Sequence, residues 1–155
     1  MAVDARIYDN VVEIEVGVDT AIHAANDVLW QPVEVPLVAN PNGCAIVTSL
    51  VLADPDDQGI ALDVIFLREP IGVGANNAAM TIADTVLQHV LGSVPVAAGD
   101  YVNLATNQVA TVRNCGLVLL PDPGREQSVW VTGRTAGTPT YAGGRLLLKI
   151  GVLRG

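Results

Sequence analysis

Residues 45–67 read AIVTSLVLADPDDQGIALDVIFL and contain the strongest fold signal in the chain. Two apolar runs, Ala45–Leu52 and Ile60–Leu67, flank the segment Ala53–Gly59, which is dense in turn-forming residues. In the second run, apolar residues at alternate positions share one face and Asp63 lies on the other. The stretch therefore predicts two antiparallel strands joined as a hairpin, with a solvated acidic turn.

The same two-residue period continues on both sides of this hairpin. Val12, Ile14 and Val16 alternate with Glu13 and Glu15, as expected for a half-buried strand. Prolines 32 and 36 place the segment that follows Trp30 at a sheet edge or in an extended arm. The remaining predicted strands are Val94–Val96, Tyr101–Leu104, Val109–Val112, Cys115–Leu120, Ser128–Val131 and a last one marked by Leu146, Leu148, Ile150 and Val152.

One segment has helical spacing instead. Apolar residues recur over Ile82–Leu91, Thr81 and Asp84 fit a capping box, and Gly92 fits a helix stop. Nine or ten strands with 15 glycines and 9 prolines between them predict a mainly β fold, a single-domain antiparallel β-sandwich with one short helix. We assign residues 11–155 to this domain and residues 1–10 to an N-terminal arm, which we expect to be mobile.

Composition narrows the choice of partners. The 155-residue chain has 16 acidic and 8 basic residues, a net charge of −8, which argues against nucleic-acid binding. Only 15% of the residues are charged, which suggests that part of the surface is buried against a partner. The first 77 residues carry a net −10 and the rest a net +2, so the halves either interleave in one fold or form two surfaces of opposite charge.

Two further signals concern location. No apolar run is long enough for a membrane span, and the N-terminus lacks the profile of a signal peptide. We therefore expect a chain that is made and folded in a cytoplasm, with no membrane partner.

The candidate reactive residues lack the context that catalysis needs. Asp54, Asp56 and Asp57 form the densest carboxylate cluster, but their spacing does not match a calcium loop, so we expect replacing all three by Asn to change stability little. We expect His23 in a loop and His89 on the surface of the helix. The serines, Ser49, Ser93 and Ser128, have no nucleophile-elbow motif around them.

The other candidates have simple structural interpretations. Gly72–Asn77 lacks the Lys-Ser/Thr pair of a phosphate loop and is interpreted as a flexible loop. Cys44 and Cys115 are expected to be buried and reduced, although a disulfide between adjacent strands stays open. Trp30 and Trp130 are expected to anchor the core or an interface. The sequence thus predicts no catalytic, cofactor-binding or metal-binding residues, no cofactor and no enzyme.

Over residues 21–152 the order of features resembles the capsid cement or decoration proteins of tailed bacteriophages. The elements that carry the resemblance are Ala24-Ala-Asn-Asp-Val28, Val47–Asp54, Val64–Leu67 followed by Pro70, the Asn-rich loop, Ile82-Ala-Asp84, Gly92 and Leu146–Leu153. The resemblance implies a jelly-roll-like β-sandwich that stabilises the expanded phage head by bridging capsomers.

The partner is then the major capsid protein, and the location is the capsid surface of the virion, after synthesis in the host bacterial cytoplasm. The apolar excess and the strand Leu146–Val152 suggest a self-association surface, so we expect a homo-oligomer, a dimer or a trimer. Residues 1–10 are expected to reach a neighbouring capsid subunit. Two alternatives stay open: a tail or baseplate component, and a β-sandwich that binds a small ligand or acts as an enzyme.

Overall fold

The structure is a computed structural model that describes residues 5–7, 10–40, 43–121 and 128–155, with backbone only for 5–7. Within these residues there are ten strands: β1 (Ala5–Ile7), β2 (Val11–Gly17), β3 (Val28–Val35), β4 (Ala45–Asp54), β5 (Leu62–Leu67), β6 (Val90–Val96), β7 (Tyr101–Asn103), β8 (Gln108–Leu119), β9 (Val129–Thr135) and β10 (Arg145–Arg154). Two short 3₁₀ helices lie at Asp84–His89 and Ala98–Asp100.

The strands form two antiparallel sheets. One has six strands in the order β1-β2-β10-β4-β8-β7, and the other has four in the order β3-β9-β5-β6. A shared apolar core includes Ile14 and Leu148 from the first sheet and Val64 and Phe66 from the second. The predicted mainly β, sandwich-like architecture is therefore confirmed.

Strand pairing is nested along the chain. The pairs are β5 with β6, β4 with β8, β3 with β9 and β2 with β10, so each pair encloses the one before it. As a consequence, strands from the acidic first half of the chain alternate with strands from the second half throughout the four-stranded sheet and over β2-β10-β4-β8 of the six-stranded sheet. Of the two interpretations of the charge asymmetry, the interleaved one is confirmed.

Alternation decides which side chains enter the core. In β2, Val12, Ile14 and Val16 are buried, whereas Glu13 and Glu15 point outward, as predicted. The central strand β10 buries Leu146, Leu148, Ile150 and Val152 in the same way. Because these four side chains fill the core, the prediction that the Leu146–Val152 alternation provides a self-association surface is wrong for its apolar face.

The predictions at Pro32, Trp30 and Trp130 stand. Strand β3, which contains Pro32, is an edge strand of the four-stranded sheet. Trp30 is fully buried, and its Nε1 donates a hydrogen bond to the carbonyl of Val131 at 3.2 Å. A Cβ on Gly133 would lie 2.2 Å from the Trp30 ring, so only glycine admits the ring there.

The predicted hairpin over residues 45–67 is wrong. Strands β4 and β5 lie in different sheets, and Asp54–Gly59 begins the connection that crosses from one sheet to the other. The apolar runs do form strands, but the turn residues reverse the chain between layers rather than within one sheet.

The predicted helix over Ile82–Leu91 is also wrong. A 3₁₀ helix covers only Asp84–His89, its N-cap residue is Ala83 with no side-chain cap, and Val90 and Leu91 belong to β6. Gly92 stops no helix: it lies inside β6 with a φ of 150°, where an added Cβ would lie 2.6 Å from a methyl of Leu117.

Two further boundaries differ from prediction. Val109–Val112 and Cys115–Leu120 are parts of one strand, β8, which has a bulge where Asn114 and Gly116 adopt positive φ. Within the predicted arm, Ala5–Ile7 pairs with β2, and residues 1–4, 8 and 9 lie outside the described residues. The mobility of the arm stays a prediction.

Candidate interaction surface

The acidic segment Asp54–Gly59, here called the corner, is a hydrogen-bonded turn and not a solvated one. Asp54 is buried, and its carboxylate accepts backbone N–H groups from Asp56 at 3.0 Å, Gln58 at 2.7 Å and Gly59 at 2.8 Å. The carboxylate of Asp56 accepts the backbone N–H of Gly143 at 2.9 Å. Because these part-buried amides would otherwise lose their acceptor, the structure favours a loss of stability on replacing Asp54, where the sequence predicted little change.

The same corner contains a partly buried tyrosine, Tyr101, and a fully buried one, Tyr141. Tyr101 donates its hydroxyl hydrogen to the carbonyl of Ile60 at 3.0 Å, while the Tyr141 hydroxyl is buried without a hydrogen-bond partner among the described residues. Burial first, and then the neighbouring Tyr101, Asp54 and Asp56, raises the pKa of Tyr141 far above its ordinary value. Both hydroxyls therefore stay protonated at neutral pH and act as structural groups.

The two histidines are separated and differently held. His23 lies in a loop, as predicted, but it is buried, with Nε2 3.2 Å from the carbonyl oxygen of Asp19 and its ring edge-on to Tyr141. His89 ends the 3₁₀ helix, and its Nε2 lies 3.0 Å from a carboxylate oxygen of Glu69. His89 is therefore helical, as predicted, but its surface position is only partly exposed, because its ring contacts Glu69.

Nucleophiles and histidines are not brought together. No hydrogen bond within the described residues joins Ser49, Ser93 or Ser128 to a histidine, and no group of three metal-ligating side chains is present there. Cys44 and Cys115 are free thiols, and both are half-buried rather than buried. Burial raises the pKa of the Cys115 thiol, which disfavours the reactive thiolate.

The outer face of the four-stranded sheet is covered by the chain itself. Residues 68–89, here called the covering segment, place Ile71 and Val73 against Ile65 and Leu67 of the sheet, and all four are buried. Its ends are joined by a hydrogen bond of 2.7 Å from the Arg68 N–H to the His89 carbonyl. The segment thus forms a closed third layer.

The predicted Gly72–Asn77 loop is part of this layer. Its Asn77 N–H donates to the carbonyl of Val28 at 3.0 Å, and Gln31 donates from its side chain to the Gly74 carbonyl at 2.9 Å and the Asn76 side chain at 3.0 Å. The segment is a loop, as predicted, but its hydrogen bonds fix the covering segment to β3 and do not favour the predicted flexibility.

A shallow groove of about 330 Å³ lies beside the covering segment, between Leu87, Val90 and the sheet. Its charged lining residues are Asp63 and Arg134, which bind each other at 2.6 Å. Since this pair satisfies its own charges, the groove offers a ligand little beyond apolar contact.

The outer face of the six-stranded sheet has no such cover within the described residues. We call it the open face and define it by its outward apolar side chains: Ile46 and Val51 of β4, Val102 of β7, Val109 and Val118 of β8, and Leu147 and Leu153 of β10. Strand register aligns them into rows, Leu147–Ala53–Val109–Val102 towards one end and Leu153–Ile46–Val118 at the other.

Exposure distinguishes this face from the rest of the molecule. Val102, Val118 and Leu153 are 62%, 49% and 58% exposed, and they are the exposed large apolar residues within the described strands. Surface-exposed apolar rows aligned across neighbouring strands are typical of an interaction site. Sequence reasoning missed this face because the alternation shows which residues share a side but not which side is covered.

Charged residues border the apolar rows. On β2, Glu13 lies 3.3 Å from Lys149 and Glu15 lies 3.7 Å from Arg145, both of β10. On β8, Arg113 is exposed and has no ion-pair partner among the described residues. The open face therefore has two ion pairs along its β2–β10 border and a basic residue, Arg113, on β8.

Comparison with known proteins gives no lead: no protein-family model, no curated protein and no solved structure matches the chain. Within the part of the chain that the structure describes, no helix is long and apolar enough to cross a membrane.

Proposed function

We propose that the protein is a non-enzymatic virion structural protein, a capsid cement protein that sits on the head of a tailed bacteriophage and bridges capsomers of the major capsid protein. The observation that carries the proposal is the open face, where apolar rows are exposed on a rigid sheet. A cement protein needs such a surface because it acts through contact area and not through a reactive group.

The finer fold assignment belongs to the same proposal. A jelly roll is a long antiparallel hairpin rolled into two sheets, and the nested pairing of β2 with β10, β3 with β9, β4 with β8 and β5 with β6 supports it. In this assignment β1 and β7 are short additions at the two edges of the six-stranded sheet. Jelly rolls occur in many viral capsid proteins, although the fold alone fixes no function.

The mechanism follows from binding linkage. A protein that binds the assembled shell at the junction between capsomers, but not the separated subunits, stabilises the shell by its binding free energy. A domain of 16.1 kDa offers limited area per contact, so linked copies gain from effective concentration. A homo-oligomer is therefore the form that best fits this role.

The proposal is tested on particles produced from the genome that encodes this chain. We expect a mass-spectrometric inventory of purified virions to contain the protein at high copy number, and particles stripped of it to rupture at a lower temperature than decorated ones. Adding the purified protein back to stripped particles should restore the rupture temperature. Equal heat resistance of stripped and decorated particles would overturn the proposal, and low copy number confined to purified tails would favour a tail component.

A further inference from the structure

The open face has a polar band between its two apolar rows. Strand register places Gly151 of β10 opposite Ser49 of β4, and Ser49 opposite Arg113 of β8. Ile150 and Val152 are both buried in the core, so position 151 between them faces outward. Since directly opposed residues of neighbouring strands share a face, Ser49 and Arg113 lie side by side on the open face.

Irregular strand pairing brings a second hydroxyl to this band. Thr48 is an extra residue of β4 between Val47 and Ser49 in the pairing with β10, and the pairing of β4 with β8 shifts at the same place. A Cβ on Gly151 would lie 3.1 Å from the Thr48 hydroxyl oxygen and nearer still to that of Ser49. Both hydroxyls therefore stand over the glycine on the open face. Bulges are common beside binding sites because they redirect side chains.

The polar side chains of this band have no partners within the part of the chain that the structure describes. No hydrogen bond or ion pair there engages the hydroxyls of Thr48 and Ser49 or the guanidinium of Arg113. Every other lysine or arginine whose side chain is described contacts an oxygen atom: Arg68 that of Leu120, Arg134 that of Asp63, Arg145 that of Glu15, Lys149 that of Glu13 and Arg154 that of Pro36. A shortage of acidic groups does not explain the exception, because the chain has 16 acidic and 8 basic residues.

The donors of this band select an anion. A guanidinium carries its N–H donors in a fixed fork that matches the two oxygens of a carboxylate, and each hydroxyl adds one donor. The other charged side chains that border the rows are paired with each other, so an incoming carboxylate meets one unbalanced positive charge. Apolar rows on both sides favour a carboxylate that is flanked by apolar residues, and the net charge of −8 disfavours a polyanion. The chemistry that fits is an acidic side chain on the surface of another protein.

We propose that Thr48, Ser49 and Arg113 form a carboxylate-binding subsite, which receives an aspartate or glutamate side chain of the major capsid protein while the apolar rows contact the residues around it. The identity of the partner rests on the proposed function. The subsite adds specificity to that function, because apolar rows alone tolerate several orientations, whereas a forked charge pair fixes one.

The first test measures binding of the purified full-length chain to stripped particles by quantitative co-sedimentation. At about 0.15 M salt we expect Arg113→Gln to raise the Kd about tenfold or more and Ser49→Ala to raise it severalfold, because each removes a donor to a charged group. Arg145→Gln is the matched control. It lies on the same face and changes the net charge by the same amount, but Arg145 is already paired with Glu15, so we expect its Kd to rise less than about threefold.

Circular dichroism checks that each variant keeps the β spectrum. If Arg113→Gln or Ser49→Ala binds particles like the wild type, the subsite is wrong and the proposed function stands. Equal losses of affinity for Arg113→Gln and Arg145→Gln would also overturn the subsite, because they would report the overall charge of the face and not a local contact.

The second test needs no particles. The NMR signal of the Arg113 Nε–H group, assigned by its loss in Arg113→Gln, is followed while the chain is titrated with the peptide acetyl-Leu-Glu-Leu-amide or with its glutamine analogue. We expect a saturable shift with the glutamate peptide and none with the glutamine peptide. Equal responses to the two peptides, or a larger response to inorganic phosphate at the same concentration, would overturn the carboxylate subsite. A wild type that responds to the glutamate peptide but does not bind stripped particles would overturn only the proposed function.

Discussion

The outer face of the four-stranded sheet buries Leu67 and Val73 completely, whereas the outer face of the six-stranded sheet leaves Leu153 58% exposed. The first face places the apolar residues Ile65 and Leu67 under residues 68–89 of the same chain, beside the Asp63–Arg134 ion pair. The second mixes apolar rows with Glu13, Glu15 and other charges, and no described segment covers it.

This difference bears on the proposed function, because it separates a face needed for stability from a face left exposed. A contiguous apolar patch such as Ile65 and Leu67 with Val28 needs a permanent cover, because exposing it would favour aggregation. A face with paired charges at its border stays hydrated in a single molecule and still gains free energy when a complementary surface removes water from its apolar rows. The covered face is therefore structural, and the open face is the one available for assembly.

The largest expected change in the free energy of unfolding comes from truncating a leucine on the covered face, and the same truncation on the open face serves as its comparison. Leu67→Ala, under the covering segment, should lower the free energy of unfolding by about 3 kcal/mol, since a buried leucine truncated to alanine leaves a cavity. Leu153→Ala on the open face should lower it by less than about 0.5 kcal/mol when measured in dilute solution. Urea unfolding monitored by tryptophan fluorescence checks both.

The same pair of variants can contradict the comparison. Equal losses for Leu67→Ala and Leu153→Ala at low protein concentration would mean that the open face is covered within the single molecule. A loss for Leu153→Ala that grows with protein concentration would instead report self-association, because dimer stability depends on concentration.

The sequence predicted local strands well because their signal is local. The alternation in Val11–Gly17 specifies both a strand and its buried face, and Pro32 marks an edge strand because it lacks a backbone donor. The nested pairing depends on contacts between distant residues, so no local pattern shows it. This is why the segment over residues 45–67 resembles a hairpin although its two strands belong to different sheets.

The misassigned helix has a similar physical origin. Ile82, Val86 and Val90 do share a face, since all three pack on the second apolar cluster with Leu67, but they reach it through a 3₁₀ turn followed by a strand. Tertiary packing against the sheet overrides the helical spacing. The open face was equally beyond prediction, because whether Leu153 or Val118 is covered depends on where residues 68–89 fold.

A smaller effect is expected at the corner that connects the two sheets. One carboxylate oxygen of Asp54 accepts the backbone N–H groups of Gln58 and Gly59. In Asp54→Asn an amide NH₂ group takes the place of one of the two carboxylate oxygens, so at least one backbone N–H group loses its acceptor. We expect a loss of about 2 kcal/mol in the free energy of unfolding. Asp57→Asn is the matched control, because the Asp57 carboxylate has only a long contact of 3.4 Å with the Asn103 side chain.

The same denaturation experiment checks the corner. If Asp54→Asn and Asp57→Asn have the same stability, the hydrogen bonds of Asp54 contribute nothing and the two sheets are held together by the apolar core alone. If the loss at Asp54 is confirmed, its hydrogen bonds stabilise the connection from β4 towards β5.

The smallest effect compares one ion pair from each outer face. Arg134 donates from both Nε and a terminal nitrogen to one oxygen of Asp63, at 3.2 and 2.6 Å, whereas Arg145 and Glu15 on the open face are 3.7 Å apart and about half exposed. Asp63→Asn should therefore lower the free energy of unfolding by about 1 kcal/mol, and Glu15→Gln by less than about 0.5 kcal/mol. Urea titrations at low and high salt check both values, since salt screens the exposed pair more strongly. If Glu15→Gln lowered the free energy of unfolding of the monomer more than Asp63→Asn does, the charges on the open face would contribute to the stability of the fold itself and not only to contacts with a partner.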